Sequence, residues 1–250
     1  MPPPLSQPQV FSVQVNRDQV FPLFIVQADG DQVNLAVRQF IGTAFFVTSR
    51  GHAITAAHVL PVPQGLDAAH RLIGVVRIDG ISTICGVTEV TVLEDQDLGL
   101  VTTNLSSTKP LPIAASDIYA GQDVQVVGFP EHEVRLRGKE FRLLKGYVSL
   151  SRDVLELSFA IPPGMSGAPV FAGANVVAYA TGRVRSEEIE DQTEELIEVS
   201  AGIERIRINT TSRIAYYGIA RSFHELASVR IPSLGDRTLL EFIKDTNSSQ

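Results

Sequence analysis

The sequence predicts an all-β protein built from two packed six-stranded antiparallel barrels, followed by a C-terminal helix. Short runs rich in Val, Ile, Phe and Thr recur along the chain, separated by Gly, Pro, Asn and Asp, as is typical of strands joined by turns. The runs fall into two groups of about six. A chain of 250 residues that is 44% hydrophobic can form either one large β domain or two small barrels that share an interface.

The first group of strands predicts an N-terminal barrel over residues 10–105, after a flexible proline-rich tail at residues 1–9. Its apolar runs are residues 10–15, 40–47, 52–55, 72–78, 81–92 and 98–102. The single cysteine, Cys85, lies in the fifth run and is expected to be a small buried apolar residue. One cysteine excludes an intrachain disulfide.

The second group predicts a C-terminal barrel over residues 106–221. Its apolar runs are residues 123–128, 134–143, 146–150, 154–159, 169–171 and 176–181. Residues 103–121 are expected to cross between the barrels, because Pro110 and Pro112 disfavour helix in the residues before them.

The end of the chain, residues 222–250, is predicted to hold a helical segment and a tail. A strand at residues 216–220 leads into a short helix at 222–228. A second helix is predicted at 234–244, where Leu239, Leu240 and Ile243 fall on one face.

Residues 184–214 are predicted to be an insertion in the second barrel. Residues 186–198 within it contain seven acidic residues and no basic residue. One interpretation is a solvated surface insertion, in which Ile189, Leu196 and Ile197 could share a helical face. The other is a loop that steers a substrate or a partner protein.

Charge and composition exclude several classes of function. The net charge is −7, so no basic footprint for nucleic acid is expected, and anionic membranes should repel the surface. No run approaches the ~18 apolar residues of a membrane span, and the N-terminal residues lack the features of a signal peptide, which predicts a cytoplasmic protein. No Cys or His pair has metal-ligand spacing and no phosphate-binding loop occurs, so we expect neither metal nor cofactor.

Four short motifs carry the chemistry of the chain. They are GTAF at residues 42–45, TAAH at 55–58, DLGL at 97–100 and GMSGAP at 164–169. A serine hydroxyl is a poor nucleophile at neutral pH, so a neutral imidazole must accept its proton, and a carboxylate must orient and stabilise that imidazole. His58, Asp97 and Ser166 supply these groups in that chain order.

Asp97 competes with Glu94 and Asp95 for the role of the carboxylate. Asp97 is favoured because the alternating Leu-Gly-Leu sequence directly after it starts a strand. The remaining histidines match no motif and are expected to be surface or packing residues: His52, His70, His132 and His224.

The motifs resemble those of the trypsin-like, chymotrypsin-fold serine peptidases over roughly residues 40–220. The TAAHV and GMSGAPV segments are similar to the histidine and nucleophile motifs of that family, and DLGL resembles its short aspartate motif. The segment VGFP at residues 127–130 is similar to the start of the second barrel in compact bacterial members, such as the HtrA-type and glutamyl endopeptidase groups. The resemblance is to such a compact form without a PDZ domain.

The resemblance also assigns the oxyanion hole and the specificity pocket. The oxyanion hole would consist of the backbone N–H groups of Gly164 and Ser166. The pocket would have Ala160 as its floor, six residues before the nucleophile, and an apolar P1 side chain is expected there. Its walls would come from Ala180, Thr181 and Gly182. An alternative is that the long insertion reshapes the pocket.

Two departures from the family pattern carry information. Met165 stands where secreted vertebrate-type members carry an aspartate that pairs with a newly cut N-terminus, so activation of that kind is not expected. The insertion at about residues 184–214 has no counterpart in the minimal fold.

The resemblance implies a serine endopeptidase that acts on a protein or peptide substrate through an acyl-enzyme intermediate. An alternative is a protease-fold interaction or signalling module that stays dormant until a regulatory partner or a larger assembly activates it. A third is a protease domain of a multidomain signalling or defence protein.

Overall fold

The computed structural model describes residues 17–29, 32–61, 66–67, 69–137, 141–152, 154–199 and 203–248. Within these residues the chain forms two closed six-stranded antiparallel barrels and ends in a helix, which confirms the predicted fold class. The proline-rich tail at 1–9 and the strand predicted at 10–15 lie outside the described residues. None of the described helices is both long enough and apolar enough to cross a bilayer.

The first barrel has the strand order β1-β2-β3-β6-β5-β4 and closes through antiparallel pairing of β1 with β4. Its strands are β1 (Val20–Asp29), β2 (Gln32–Phe46), β3 (His52–Ala56), β4 (His70–Ile78), β5 (Ile81–Leu93) and β6 (Leu98–Thr103). The sequence did not predict β1 as a strand of the barrel. Most of β1 is buried without polar alternation and contains Pro22, so it lacks the period-2 pattern by which half-buried strands are recognised.

The thiol of Cys85 lies in the interior of the first barrel. Cys85 is fully buried, as predicted. This burial raises the pKa of its thiol to about 12. A thiol with this pKa remains protonated near neutral pH, so Cys85 has the properties of an inert packing residue.

The second barrel has the strand order β10-β11-β12-β9-β8-β7 and closes through pairing of β10 with β7. Its strands are β7 (Asp123–Gly128), β8 (Arg142–Ser151), β9 (Leu155–Leu157), β10 (Pro169–Ala172), β11 (Asn175–Val199) and β12 (Ile203–Ser222). The strand predicted at 134–143 is wrong, because helix α1 (Glu131–Arg137) occupies its first part. Glu131 and Glu133 in the first turn of α1 favour a helix start through the helix dipole.

A long antiparallel ribbon extends from the second barrel where the sequence predicted an insertion. Strands β11 and β12 stay paired from Ala178↔Ser222 to Val199↔Ile203, and residues 185–199 and 203–215 are described by their backbone. The helical face suggested for Ile189, Leu196 and Ile197 is therefore wrong. The acid-rich first half of the ribbon has little strand character of its own, and its partner β12 is the half rich in Ile, Thr and Tyr.

The chain returns to the first barrel through its C-terminal segment. After α2 (Phe223–Leu226) come β13 (Arg230–Ile231), β14 (Arg237–Thr238) and α3 (Leu239–Ser248). The second helix begins at Leu239 rather than at residue 234, because Thr238 and Glu241 form a capping box. The Thr238 N–H donates to Glu241 Oε2 at 2.8 Å, and the Glu241 N–H donates to Thr238 Oγ1 at 3.2 Å.

The side chains of Asn247 and Phe242 attach α3 to the first barrel near the start of β3. The amide of Asn247 accepts a hydrogen bond from the Ser49 N–H at 3.0 Å and donates one to the Val47 carbonyl at 3.2 Å. The ring of Phe242 packs edge-on against His52, with the ring centroids 4.9 Å apart. The C-terminal helix thus supports the strand that leads to His58.

Candidate active site

His58 and Asp97 are brought together by the register of two antiparallel strands. Strands β3 and β6 are paired up to Ala56↔Leu98, so the residues just beyond this pair lie side by side. His58 follows β3 in a 3₁₀ turn, and Asp97 immediately precedes β6. The Ala57 N–H donates to the Asp97 carbonyl at 2.9 Å, which continues the pairing into the two turns.

The Asp97 carboxylate holds the imidazole of His58 from both of its oxygens. Nδ1 of His58 lies 2.8 Å from Oδ2 and 3.0 Å from Oδ1, and Oδ1 also accepts the His58 backbone N–H at 2.9 Å. Asp97 has a left-handed backbone, with φ of 50°, which Asp tolerates better than most residues. Of the three acidic residues considered in the sequence, Asp97 is the one whose carboxylate hydrogen-bonds the ring.

Ser166 lies in a turn of the second barrel that packs against the first barrel. The Ser166 carbonyl accepts the Thr43 N–H at 2.9 Å. The next residue, Gly167, has φ of 85°, and a β-carbon there would meet the Thr43 carbonyl, the Thr55 hydroxyl and the Ala56 N–H, the last at 2.8 Å. Only glycine fits between the turn and the end of β3, and this close approach brings Ser166 to the region of His58.

The turn before Ser166 has a defined peptide orientation. The Met165 N–H donates to the Pro162 carbonyl at 3.2 Å, and Gly164 has φ of 90°, the pattern of a type II turn with Pro163 and Gly164 at its centre. The Pro163 carbonyl accepts the Glu131 N–H of α1 at 2.8 Å. Because the C=O and N–H of a trans peptide point in opposite directions, the Gly164 N–H points away from α1.

Two backbone N–H groups at this turn, within the described part of the chain, have no hydrogen-bond acceptor. Among the hydrogen bonds of the described residues, neither the Gly164 N–H nor the Ser166 N–H has an acceptor. In the same described part of the chain, no hydrogen bond joins the Ser166 hydroxyl to His58. The turn therefore offers two free N–H groups, while the hydroxyl and the imidazole are not hydrogen-bonded to each other.

Met165 at the end of this turn and Thr43 of the first barrel explain its fixed position. Met165 is fully buried in the core of the second barrel, where an aspartate would be desolvated. Thr43 is fully buried between the barrels; its hydroxyl donates to the Gly164 carbonyl at 2.9 Å and accepts the Phe129 N–H at 3.0 Å. The sequence did not indicate this role of Thr43, although a threonine in a buried apolar strand is a signal that its hydroxyl has a partner.

The residues predicted to form the specificity pocket lie around strand β12. On one side of β12, the Gly218 N–H donates to the Phe159 carbonyl at 2.7 Å, which places Ala160 beside this strand. On the other side of β12, Ile219 pairs with Gly182. Ala160, Thr181 and Gly182 are half-buried, whereas Ala180 is fully buried. A β-carbon on Gly182 would meet no atom within 4 Å, so the space beside it is open.

A cavity of about 240 Å³ lies beside His58. It faces the 3₁₀ turn of residues 94–96 that directly precedes Asp97, here called the aspartate turn. Its lining residues are Ala57, His58, Leu60, Val92, Glu94 and Asp97. The aliphatic members make its wall apolar, and the two carboxylates make it electronegative.

The side chain of each of the other four histidines lies next to a polar or acidic side chain. His52 is half-buried, with Nδ1 2.7 Å from the Thr48 hydroxyl. His70, His132 and His224 each have a carboxylate neighbour, Asp67, Glu133 and Asp117 respectively. The described residues contain no group of three or more His, Cys, Asp or Glu side chains suited to a metal ion.

Comparison with known proteins relates the chain to peptidases. Residues 42–178 match the family model described as the trypsin-like peptidase domain. The comparison with curated protein sequences found no match.

Similar solved structures include the HtrA-type protease AlgW with a decapeptide and with a tripeptide, each at 18% identity and a TM-score of 0.51, covering 83% of this chain. The serine endoprotease from Yersinia pestis is 17% identical, with a TM-score of 0.50 over 66% of this chain. The chain covers 61%, 57% and 54% of these three structures, less than two thirds of their length.

The structural likeness, at identities below 20%, concerns the fold. The family match rests on the sequence, extends over more than half of the chain, and includes the four motifs from residue 42 to the turn that bears Ser166. This chain therefore belongs to the trypsin-like peptidase domain family.

Proposed function

We propose that this protein is a serine endopeptidase that cleaves peptide bonds with His58, Asp97 and Ser166. Ser166 Oγ bonds to the carbonyl carbon of the scissile peptide while Nε2 of His58 accepts the hydroxyl proton. Asp97 accepts the Nδ1–H of the ring, keeps the tautomer whose Nε2 is basic, and stabilises the imidazolium. The oxyanion formed from the carbonyl accepts hydrogen bonds from the Gly164 and Ser166 N–H groups.

The remaining steps release the two products. His58 gives its proton to the leaving amine as the C–N bond breaks, which leaves an acyl group on Ser166. A water molecule then bonds to the acyl carbon while His58 accepts its proton, and the Ser166 oxygen leaves with that proton. No step requires a metal or a cofactor.

One observation carries the assignment: Asp97 Oδ2 and Nδ1 of His58 are 2.8 Å apart. This contact selects the tautomer that a general base needs, with the proton on Nδ1. The turn that bears Ser166 packs, through Gly167, against Ala56, two residues before His58. The absent Ser166–His58 hydrogen bond is compatible with the proposal, because such bonds are often long or unformed without substrate.

The oxyanion hole draws support from the turn geometry. The Glu131 N–H holds the Pro163 carbonyl, so the Gly164 N–H is directed away from α1 before any substrate binds. Donors that are oriented in advance stabilise developing charge without reorganisation, and loss of one such donor typically costs about 3–4 kcal/mol.

The proposed P1 pocket lies between Ala160 and residues 181–182. Ala160 lies on one side of β12 and residues 181–182 lie on the other side. The gap between them spans two inter-strand spacings of about 4.8 Å each, which is wide enough for one side chain. Ala160 carries no charge, so an apolar P1 side chain fits best. Arg183 follows Gly182, but its guanidinium lies 5.0 Å from the ring centroid of Tyr216, a cation–π contact.

A second recognition element is proposed in the cavity beside His58. A substrate side chain adjacent to the scissile bond would enter it, with its aliphatic part against Leu60 and Val92 and a basic end group near Glu94. The acidic strand of the β11–β12 ribbon would add longer-range attraction for basic substrate residues or for a basic regulatory partner. Both sources of charge favour basic residues away from P1.

The dormant-module alternative differs from the proposal in the state of the isolated chain. The unformed Ser166–His58 hydrogen bond favours it, since a partner could be needed to bring the two groups together. The free and oriented Gly164 N–H argues for a chain that is competent without a partner. Reactivity of Ser166 in the isolated chain separates the two.

The test is labelling of the purified chain with a fluorophosphonate probe, followed by peptide mapping. We expect a label on Ser166, none in Ser166→Ala, and normal labelling in Ser82→Ala, which removes an exposed hydroxyl on β5. A folded wild-type chain that stays unlabelled, and that cleaves no peptide in a library, would contradict an active peptidase and favour the dormant module. Labelling that persists in Ser166→Ala would exclude Ser166 as the nucleophile.

A further inference from the structure

A buried tyrosine of the second barrel contacts the aspartate turn of the first. Tyr179 lies on β11, is fully buried, and donates a hydrogen bond from its hydroxyl to the Gln96 carbonyl at 2.7 Å. Gln96 ends the 3₁₀ turn of residues 94–96 and directly precedes Asp97. No motif in the sequence points to this contact, since its partners are 83 residues apart.

The orientation of Asp97 depends on that turn. The Asp97 N–H donates to the Glu94 carbonyl at 2.9 Å, and its left-handed backbone directs the carboxylate to His58. A shift of the Gln96–Asp97 peptide would turn the carboxylate, because the two residues share that planar unit. The Gln96 carbonyl belongs to this peptide, and Tyr179 is the side chain that holds it.

The residue after Tyr179 holds the nucleophile turn. The Ala180 N–H donates to the Ala168 carbonyl at 2.8 Å, and the Ala180 carbonyl accepts the Gly167 N–H at 2.7 Å. Of two consecutive residues of β11, Tyr179 therefore contacts the aspartate turn of the first barrel, and Ala180 contacts the nucleophile turn of the second barrel. Their Cα atoms are separated by a single trans peptide, about 3.8 Å.

The surroundings of Tyr179 keep its hydroxyl a donor. Burial, and next the negative charge of Asp97, raise the pKa of the Tyr179 phenol far above its ordinary value; Arg221 on β12 lowers it and Glu225 on α2 raises it. The phenol therefore remains protonated wherever the fold is stable. The ring packs against Phe223, with centroids 5.5 Å apart, so the side chain has little freedom.

We propose that Tyr179 is a positioning residue whose hydroxyl fixes the Gln96–Asp97 peptide and thereby sets the orientation of Asp97 toward His58 and Ser166. This inference rests on the proposed function of those three residues. The tyrosine does not touch substrate; it acts through Asp97. Its effect should appear in properties of the His58 ring that depend on the position of the carboxylate.

The test compares wild type with Tyr179→Phe, which keeps the ring and removes only the hydroxyl. We expect kcat to fall about tenfold with KM unchanged, since one buried hydrogen bond of ordinary strength is lost from the alignment. The acid limb of the kcat/KM profile should move to lower pH, because a displaced Asp97 stabilises the imidazolium less. Glu94 and Asp97, the acidic residues that line the cavity beside the ring, are unchanged in this variant.

A second measurement does not depend on peptidase activity. In the Ser166→Ala background, the NMR titration midpoint of the His58 ring should also move to lower pH when Tyr179→Phe is added. Phe223→Leu is the matched control: it weakens the packing around Tyr179 but keeps the hydroxyl, so stability should fall and the midpoint should stay.

The outcomes separate the two hypotheses. If the titration midpoint of His58 is unchanged in Tyr179→Phe, the proposed role of Tyr179 is overturned, whether or not peptidase activity changes. A shifted midpoint in a chain that cleaves nothing supports the role of Tyr179 and counts against the proposed function alone. Equal shifts in Tyr179→Phe and Phe223→Leu would reduce Tyr179 to a packing residue and would also overturn the inference.

Discussion

The hydroxyl of Thr43 donates a hydrogen bond of 2.9 Å to the carbonyl oxygen of Gly164, so a side chain of the first barrel holds the turn that precedes Ser166 in the second. The same hydroxyl accepts the Phe129 N–H at 3.0 Å, and the Thr43 N–H donates to the Ser166 carbonyl at 2.9 Å. One fully buried residue of the first barrel therefore holds two segments of the second barrel. Any change at Thr43 should reach the proposed oxyanion hole.

We expect Thr43→Val to lower both stability and activity. The substitution leaves the Phe129 N–H and the Gly164 carbonyl without the Thr43 hydroxyl. The lost partner costs about 1–3 kcal/mol for the buried Phe129 N–H and less for the partly buried Gly164 carbonyl. Misplacement of the turn by about 1 Å can lower kcat by about 100-fold. Urea unfolding and steady-state kinetics measure the two effects. Thr43→Ser keeps the hydroxyl and should retain most of the activity; a Thr43→Val variant with wild-type kcat would limit Thr43 to a structural role.

Asp97→Asn should reduce kcat by about 10⁴, because an amide at this position favours the wrong tautomer of His58. The matched control is Asp95→Asn, which removes one carboxylate from the same turn and should leave kcat within a few-fold of wild type. Both variants should keep the circular dichroism spectrum of the wild-type protein. A large loss in Asp95→Asn together with normal kinetics in Asp97→Asn would show that the wrong aspartate has been assigned.

Activity should fall on acidification, because only the neutral imidazole of His58 can accept the proton of Ser166. The measurement is kcat/KM against pH with an uncharged peptide substrate, so that titration of the substrate does not contribute. Circular dichroism at each pH separates loss of activity from loss of fold. A rate that stays constant from pH 8 down to about pH 4, well below the range in which histidines ordinarily titrate, would be incompatible with a histidine base.

Folding stability should also decrease on acidification through His52. Burial lowers the pKa of His52 below its ordinary value of 6.5, with Arg50 acting in the same direction and Glu89 opposing. Below about pH 6.5 the unfolded chain binds a proton at this residue that the folded chain does not, so the free energy of unfolding falls until pH passes the folded-state pKa. Urea unfolding at pH 7.5 and pH 5.5 should show a smaller decrease in His52→Gln than in wild type. An equal decrease would exclude His52 as a contributor.

Cleavage should follow apolar P1 residues and should favour basic residues at neighbouring positions. Peptide-library profiling at low and high salt tests both parts, because exposed charges are screened over about 8 Å at physiological ionic strength. Glu94→Gln should weaken the basic preference beside the scissile bond, while neutralising residues 187–198 should reduce the salt dependence. A dominant Arg or Lys at P1 would refute the pocket assignment, and a dominant acidic P1 would point to Arg183. If neutralising residues 187–198 changes nothing, the acidic strand of the ribbon is a solvated surface.

Local sequence patterns determined a large part of this protein. The runs at 52–55 and 123–128 became β3 (His52–Ala56) and β7 (Asp123–Gly128), because each combines strand-forming residues with turn residues at its ends. The motifs also indicated that Asp97 orients the ring of His58, and in the structure Asp97 Oδ2 lies 2.8 Å from Nδ1 of His58. Each of these motifs carries its own strand, turn and chemical group within a few positions.

Other features could be decided only by tertiary structure. Strand β1 (Val20–Asp29) lacks alternation because it is buried along most of its length, and residues 131–137 form a helix where an apolar pattern suggested a strand. The acidic segment became a strand because β12 pairs with it. The contacts of Thr43 with Gly164 and of Tyr179 with Gln96 join residues 121 and 83 positions apart. Local propensity and periodicity act over a few residues, whereas a buried polar group finds its partner only when two distant segments pack together, so these two contacts exist only in the folded protein.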